Sequence, residues 1–224
     1  PAVKWLEVQF PPVFIEEINQ YIDDVVIPNN KDYSDKLVGQ LKGEKSAQLD
    51  FPLKGHETGE QFKKVLENLG KSFVQKPYNR MSSVECFECW TVHSYEGDYN
   101  PMHDHGVRTQ SGLSCILYLK VPDSIKNKPE VEVPNLNHAS GVIDGWTQFQ
   151  WGANTMKDIY QLREQTQHVV RPVEGKLLMF PCWLNHMVWP FKGEGERRTL
   201  SANFRVPFTT ANRSTSHNSK SLFS

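Results

Sequence analysis

Four cysteines in 224 residues are too few to staple a secreted scaffold of this length. Cys86 and Cys89 form a single C-x-x-C with no second pair, so no zinc framework is visible. The flanking Val84, Phe87 and Trp90 suit a strand, on which positions three apart face opposite ways. The expectation is therefore four reduced, partly buried thiols. A surplus of charge of one sign is missing too: Lys and Arg number 25, Asp and Glu 26, for a net −1. Such a balance offers no broad footprint for a phosphate backbone, and no nucleic acid is expected as partner. Long apolar runs are lacking; stretches such as Leu177 to Phe180 fall far below the roughly 18 residues that cross a bilayer, so no membrane association is expected. The N-terminus lacks the basic-then-apolar layout of a signal peptide, which reads as a cytoplasmic protein. The chain begins at Pro1 rather than Met, which leaves room for a leader removed by processing.

What is present is a fraction of 38% apolar and 11% aromatic side chains, enough for one ordinary soluble domain with a full core. Collagen, coiled coil and wholesale disorder are excluded by composition. Val3 to Phe10 reads as a first strand ended by Pro11-Pro12. Phe14 to Val26 places Phe14, Ile15, Ile18, Ile22 and Val25 at helical spacing, with Pro28 closing the helix. A polar stretch containing Lys42-Gly43-Glu44 follows. His56 to Gln75 is helical again, with Phe62, Val65, Leu66, Leu69 and Phe73 on one stripe.

From Ser83 the texture changes to short segments rich in β-branched and aromatic residues, punctuated by Gly, Pro, Asn and Asp. The expected strands are Val84–Tyr95, Met102–His105, Leu113–Val121, Gly141–Gln150, His168–Pro172, Lys176–Pro181, His186–Phe191 and Arg197–Pro207. This density of strands predicts a mainly β double-sheet jelly roll with the earlier helices packed on one outer face. The chain divides into an N-terminal strand and helices (1–82), a jelly-roll core (83–208) and a polar tail (209–224), all in one domain. A Pro- and Asn-containing loop from Asp123 to Ala139 is long enough to be a lid or an insertion.

Three of the eight histidines carry a chemical signal. His103 and His105 are two apart, so on an extended strand both rings project from one face while Asp104 points away. His186 follows a buried strand and a turn, where a jelly roll can bring it opposite the first pair across the barrel mouth. Three imidazoles would occupy one face of an octahedral metal, leaving three positions open. The dull alternatives are a polar turn after Asn100-Pro101 for the pair and a turn cap for His186. On the strand from Arg197, residues Arg197, Thr199, Ser201 and Asn203 share one face, and Arg198, Leu200, Ala202 and Phe204 the other. A guanidinium flanked by hydroxyls is a receptor for a carboxylate, because its planar fork matches both oxygens. Metal and carboxylate receptor together imply a keto-acid cosubstrate. Arg198 competes for the receptor role, and Glu194 and Glu196 leave open a solvated charged hairpin. Trp90, Trp146, Trp151, Trp183 and Trp189 read as core or rim, with Trp183 and Trp189 close enough to His186 to line a site.

The run Tyr95-Glu96-Gly97-Asp98-Tyr99-Asn100-Pro101-Met102-His103-Asp104-His105 resembles the Tyr-x-x-Gly…His-x-Asp segment of prolyl-hydroxylase-like iron(II)/2-oxoglutarate oxygenases. Ser111 to Leu119 is similar to the strand after the first ligands in the phage and bacterial branch. Gly175 to Pro181, then His186, then Arg197 to Asn203 resemble that branch's closing pattern of Gly, Phe-Pro, His and Arg-x-Ser/Thr. Four pieces in the right order are far more specific than any one alone.

The resemblance implies a double-stranded β-helix (cupin-like jelly roll), iron(II) held by the histidines, 2-oxoglutarate held by Arg197 with Thr199, and dioxygen as cosubstrate. It adds Tyr118 as a contact to the cosubstrate from the neighbouring strand. The implied reaction is hydroxylation of a small-molecule or peptide substrate, in a cytoplasm that for a phage protein is the host's.

The sequence departs from the family at one point: His105 stands where the carboxylate of His-x-Asp is usual. Either His105 ligates, or a bulge turns Asp104 inward; no sign of a bulge favours His105. Two rival functions remain, a jelly-roll binding module without redox chemistry and a three-histidine cupin dioxygenase that needs no keto acid. Both leave Arg197 without a task.

Overall fold

The computed structural model describes residues 3–78, 82–106, 112–128, 142–153, 157 and 159–207. Its strands are β1 (Leu6–Gln9), β2 (Ala47–Asp50), β3 (Glu85–Ser94), β4 (Asn100–His103), β5 (Leu113–Lys120), β6 (Thr147–Gln150), β7 (Gln167–Val170), β8 (Lys176–Pro181), β9 (Asn185–Val188) and β10 (Arg197–Arg205). They form a six-stranded sheet in the order β1-β8-β5-β10-β3-β2 and a four-stranded sheet in the order β4-β9-β6-β7. The described pairings are antiparallel. The crossovers between strands distant in sequence are those of a jelly roll.

Alternation along the central strands sets up the two faces of the larger sheet. Leu113, Cys115, Leu117 and Leu119 of β5 and Leu200, Ala202 and Phe204 of β10 point outward into one apolar cluster. Helices α1 (Pro12–Tyr21) and α3 (Glu57–Tyr78) cover that face with Ile15, Ile18, Phe62, Leu66 and Phe73. Each fully buried Leu or Phe contributes at most about 2–3 kcal/mol, which fixes the helices on the outer face as expected. Ile116, Tyr118, Leu178 and Phe180 point the other way and meet Phe149 and Val170 of the smaller sheet.

Several elements differ from expectation for local reasons. The first helix runs on through a π turn (Ile22–Val26) into α2 (Ile27–Asn29), so Pro28 lies inside it. The Ile27 N–H bonds back five residues to Ile22 O, a wider turn that makes room for the proline ring. Asn30 then ends the helix in the left-handed conformation, φ 45°. Strand β2 arises inside the stretch that reads as merely polar. Strand β4 begins at Asn100 and ends at His103, so His105 lies beyond it. Strands β6 and β9 are shorter than their apolar segments. Within the Asp123–Ala139 loop, Asp123–Lys126 forms the one-turn helix α4; residues 129–141 and the tail lie outside the described residues.

The C-x-x-C reading needs correcting as well. The pairing of β3 with β10 shifts between Asn203 and Phe204, which leaves Phe87 as a bulge. Cys86 and Cys89 therefore share the outer face with Cys115 instead of opposing one another. All four thiols are free and buried, and burial pushes Cys86 up to about 12.

Candidate functional site

Between the sheets lies a cavity of about 560 Å³, bounded among others by His103, His105, His186, Arg197, Thr199 and Asn203. His103 closes β4 and pairs directly with His186 on β9, so two ligand candidates are set by strand register. His105 follows β4, with its backbone N–H bonded to Cys182 O at 2.8 Å. That bond keeps the chain extended and turns its ring to the same side as His103. Ring centroids lie 4.3 Å (His103–His186), 5.1 Å (His105–His186) and 5.2 Å (His103–His105) apart. One nitrogen from each ring lies within 4.8 Å of the others, the spacing of a single cation site.

The rings are prepared for that role. His103 Nδ1–H donates to Pro101 O at 2.7 Å and His186 Nδ1–H to Leu184 O at 3.0 Å. Each bond fixes the tautomer that leaves Nε2 with its lone pair free. Burial holds His103 below the ordinary imidazole value and His186 well below it. Burial and the neighbouring His103 bring His105 down to about 4. At neutral pH all three rings are uncharged donors.

Asp104 bounds the same cavity, but on an exposed stretch. Its exposed carboxylate accepts the Gly106 N–H at 3.0 Å, and it is not one of the converging donors. The pairing of β4 with β9 is irregular between Asn100 and His103, but Asp104 stays exposed and outside the three converging donors.

Behind His105 stands a polar chain that the sequence reading did not single out. Asn203 hydrogen-bonds the His105 side chain, accepts from Ser114 Oγ at 2.6 Å and donates to Glu88 Oε1 at 2.6 Å. Tyr33 donates to the other oxygen of Glu88 at 2.5 Å. Trp90 is stacked between Tyr33 (5.5 Å) and His105 (6.0 Å). Trp90 thus bounds the cavity, whereas Trp183 is half exposed and Trp189 donates to Gln148; the expectation that these two line the site is not met. The signal available in the sequence was the position of Glu88 and Trp90 on the inward face of β3, masked by the bulge at Phe87.

Arg197 and Arg198 are both 2% exposed but face opposite ways. Arg198 points outward and donates to Glu196, Asn19 and Asp23 at 2.7–3.2 Å. The charge pairing with Glu196 is present, but it is buried, so the solvated hairpin is not what forms. Arg197 points into the cavity, where Nε donates to Gly145 O at 3.0 Å. Its guanidinium carbon lies 5.5 Å from the Tyr118 ring centroid, and its buried Nη2 has no hydrogen-bond partner. Gly145, at φ 72°, leaves no room for a Cβ, which would meet Ile125 Cδ1 at 2.3 Å; a bare glycine delivers that carbonyl. Tyr118 is fully buried, donates to Thr147 Oγ1 at 2.7 Å and supports Arg197 from behind.

The residues fit the group that the sequence pattern implies. Neutral imidazoles suit iron(II), and an unsatisfied buried guanidinium asks for an anion. No described helix is long and apolar enough to cross a membrane.

The chain resembles several oxygenases of known structure. A prolyl-4-hydroxylase from Pseudomonas putida superposes with a TM-score of 0.58 at 16% identity, over 91% of this chain and 93% of that one. A prolyl hydroxylase from Trichoplax adhaerens, in complex with a peptide fragment of the hypoxia inducible factor oxygen degradation domain, gives 0.53 at 15%, over 89% and 82%. The non-heme alpha-ketoglutarate-dependent carbocyclase SnoK from nogalamycin biosynthesis gives 0.60 at 9%, over 90% and 79%. At these identities the likeness is one of fold, the double-stranded β-helix. No curated protein matches in sequence. The profile of the family described as "Putative 2OG-Fe(II) oxygenase" matches residues 88–203, just over half of the chain. The chain belongs to this family of 2-oxoglutarate- and iron(II)-dependent oxygenases.

Proposed function

We propose that the enzyme hydroxylates a C–H bond of a peptidyl side chain, with His103, His105 and His186 holding iron(II) and Arg197 with Thr199 holding the distal carboxylate of 2-oxoglutarate. The balance is substrate C–H, O₂ and 2-oxoglutarate in, and substrate C–OH, succinate and CO₂ out. Iron(II) would supply the site at which dioxygen, the oxidant, is activated with the two electrons that 2-oxoglutarate gives up, chemistry that no amino-acid side chain provides.

The chain's own residues do the rest. Pro101 and Leu184 carbonyls orient two of the rings, and Asn203 steadies the third. Arg197 is held by Gly145 O and the Tyr118 ring, with Nη2 unspent, so an incoming carboxylate meets a donor already aimed. Tyr118 acts through Arg197, since its hydroxyl is engaged by Thr147. Phe180, Ile116 and Trp90 give the cavity apolar walls, which keep water from the reacting atoms. Three neutral ligands leave the metal one charge more positive than a site with a carboxylate, which strengthens its grip on an anionic keto acid.

The observation that carries this reading is the orphaned Nη2 of Arg197. A binding module with a structural metal, and a three-histidine dioxygenase without a keto acid, both leave that buried charge unanswered, which costs several kcal/mol. The peptide reading is supported by the Trichoplax relative, whose structure holds a peptide. The test is 2-oxoglutarate turnover: succinate should form only with iron(II), rise when a substrate peptide is present, and match that peptide's gain of one oxygen by mass spectrometry. No iron-dependent succinate would contradict the proposal.

A further inference from the structure

The cavity extends beyond the metal-site residues to a wall that no step above uses. Gln48 of β2, 3% exposed, pairs with Val92, and Asn100 opens β4 across from it. Both bound the cavity, with Gly39 between them. A Cβ placed on Gly39 would lie 2.6 Å from Asn100 Oδ1 and 2.8 Å from Gln48 Nε2. An acceptor and a donor thus lie close together in the cavity wall, packed against a residue that has no side chain to push them apart. The buried Oδ1 of Asn100 has no hydrogen-bond partner among the described residues, and the Gln48 amide beside it bounds the same cavity. Buried polar groups are satisfied in the great majority of cases, so an orphaned acceptor in a cavity wall, with an amide donor beside it, points to an absent ligand. Beside them the stacked rings of Tyr33 and Trp90 offer a flat apolar surface, and the Tyr33 hydroxyl is already engaged by Glu88.

A ligand that complements an acceptor, a donor and a flat apolar wall carries one N–H and one C=O on a compact apolar group. We propose that this wall is a subsite for a secondary amide of the peptide-bond type, Asn100 accepting its N–H and Gln48 donating to its carbonyl. The inference rests on the oxygenase reading in one respect: it identifies this amide as part of the substrate whose side chain is presented to the metal.

The probes are N-methylcyclopentanecarboxamide and the ester methyl cyclopentanecarboxylate, which differ in the single N–H. Their affinities are measured by ligand-observed NMR on the full chain with zinc(II) and 2-oxoglutarate added, and again with neither. The amide should bind about tenfold more tightly than the ester, the order expected of one buried hydrogen bond. Asn100→Leu, which removes the acceptor of the N–H, should cost the amide about tenfold and leave the ester unchanged, whereas Gln48→Leu, which removes the donor to the carbonyl that both probes carry, should weaken both by about tenfold. Equal binding of amide and ester, no binding of the amide, or an amide affinity unmoved by both variants would overturn the subsite. Retained 2-oxoglutarate binding in each variant shows that it is folded. The amide pattern without any 2-oxoglutarate binding would sink the oxygenase reading and leave the amide site standing; the reverse would sink the subsite alone.

Discussion

Arg197 and Arg198 are neighbours on β10 and equally buried, yet they belong to two different proteins in miniature. The outer face of the six-stranded sheet is closed: Arg198 meets two carboxylates and an amide oxygen, and around it helices and sheet share a continuous apolar core. The inner face opens on the cavity: its own Arg197 is short of one partner, and across from it the smaller sheet brings an asparagine oxygen without one and, with His105, the uncharged imidazoles that converge on one spot. The outer face completes its interactions within the chain and so stabilises the fold. The inner face leaves its interactions to be completed by ligands, which is how an active site differs from a core built on the same strand.

The sharpest break of this contrast is a paired substitution. Arg197→Met should raise the KM for 2-oxoglutarate on the order of 100-fold, since truncating one side of a buried charge pair costs about 2–5 kcal/mol. Its thermal midpoint in calorimetry should stay level or rise, because an uncompensated buried charge has gone. Arg198→Met should do the reverse. Leaving Glu196 and Asp23 without their cation should cost about 3 kcal/mol, or roughly 6–12 °C in Tm, with 2-oxoglutarate affinity nearly unchanged. If both variants lost stability alike and 2-oxoglutarate affinity alike, the two faces would not be functionally distinct.

A smaller effect is expected one layer behind the metal. Asn203→Leu should weaken zinc(II) or iron(II) affinity by about 10- to 100-fold in isothermal titration, by releasing the His105 ring from Glu88 and Ser114. An unchanged affinity would reduce the Tyr33–Glu88–Asn203 chain to structural packing.

The smallest is a pH effect on the closed face. Burial works against ionisation of Glu196, but hydrogen bonds from His93 and Arg198 outweigh it and hold its carboxyl down at about 2. A carboxyl whose folded value lies below its unfolded value stabilises the protein above the unfolded value, and that contribution disappears as pH falls toward the folded one. Melting curves should therefore lose 1–2 kcal/mol, as an order of magnitude after screening, between about pH 4.5 and pH 2. Glu196→Gln should flatten that part of the profile.

Much of this was legible in the chain because strand alternation is a short-range rule. The split of β10 into an arginine-threonine face and a leucine-alanine face needed only a period of two, and the apolar stripes of α1 and α3 only a period of 3.6. The joint exposure of His103 and His105 to one side was reached through a strand that stops at His103; the tie from His105 N–H to Cys182 O does the work instead. What the sequence hid depends on contacts between distant segments. The β2 residues Ala47–Asp50 alternate too briefly to stand out, and become a strand only because β3 offers an edge. The bulge at Phe87 shows no local mark, yet it places Cys86 and Cys89 together outside and Glu88 and Trp90 inside. Tyr33 enters the site from a loop with no periodicity.

The ligand set is tested most directly by adding iron(II) and then 2-oxoglutarate to the protein without oxygen, and following the weak visible charge-transfer band of the chelated keto acid. The account predicts the band in the unaltered chain and in Asp104→Ala, and its loss in His105→Ala. A band that survives in His105→Ala and vanishes in Asp104→Ala would contradict the three-imidazole site.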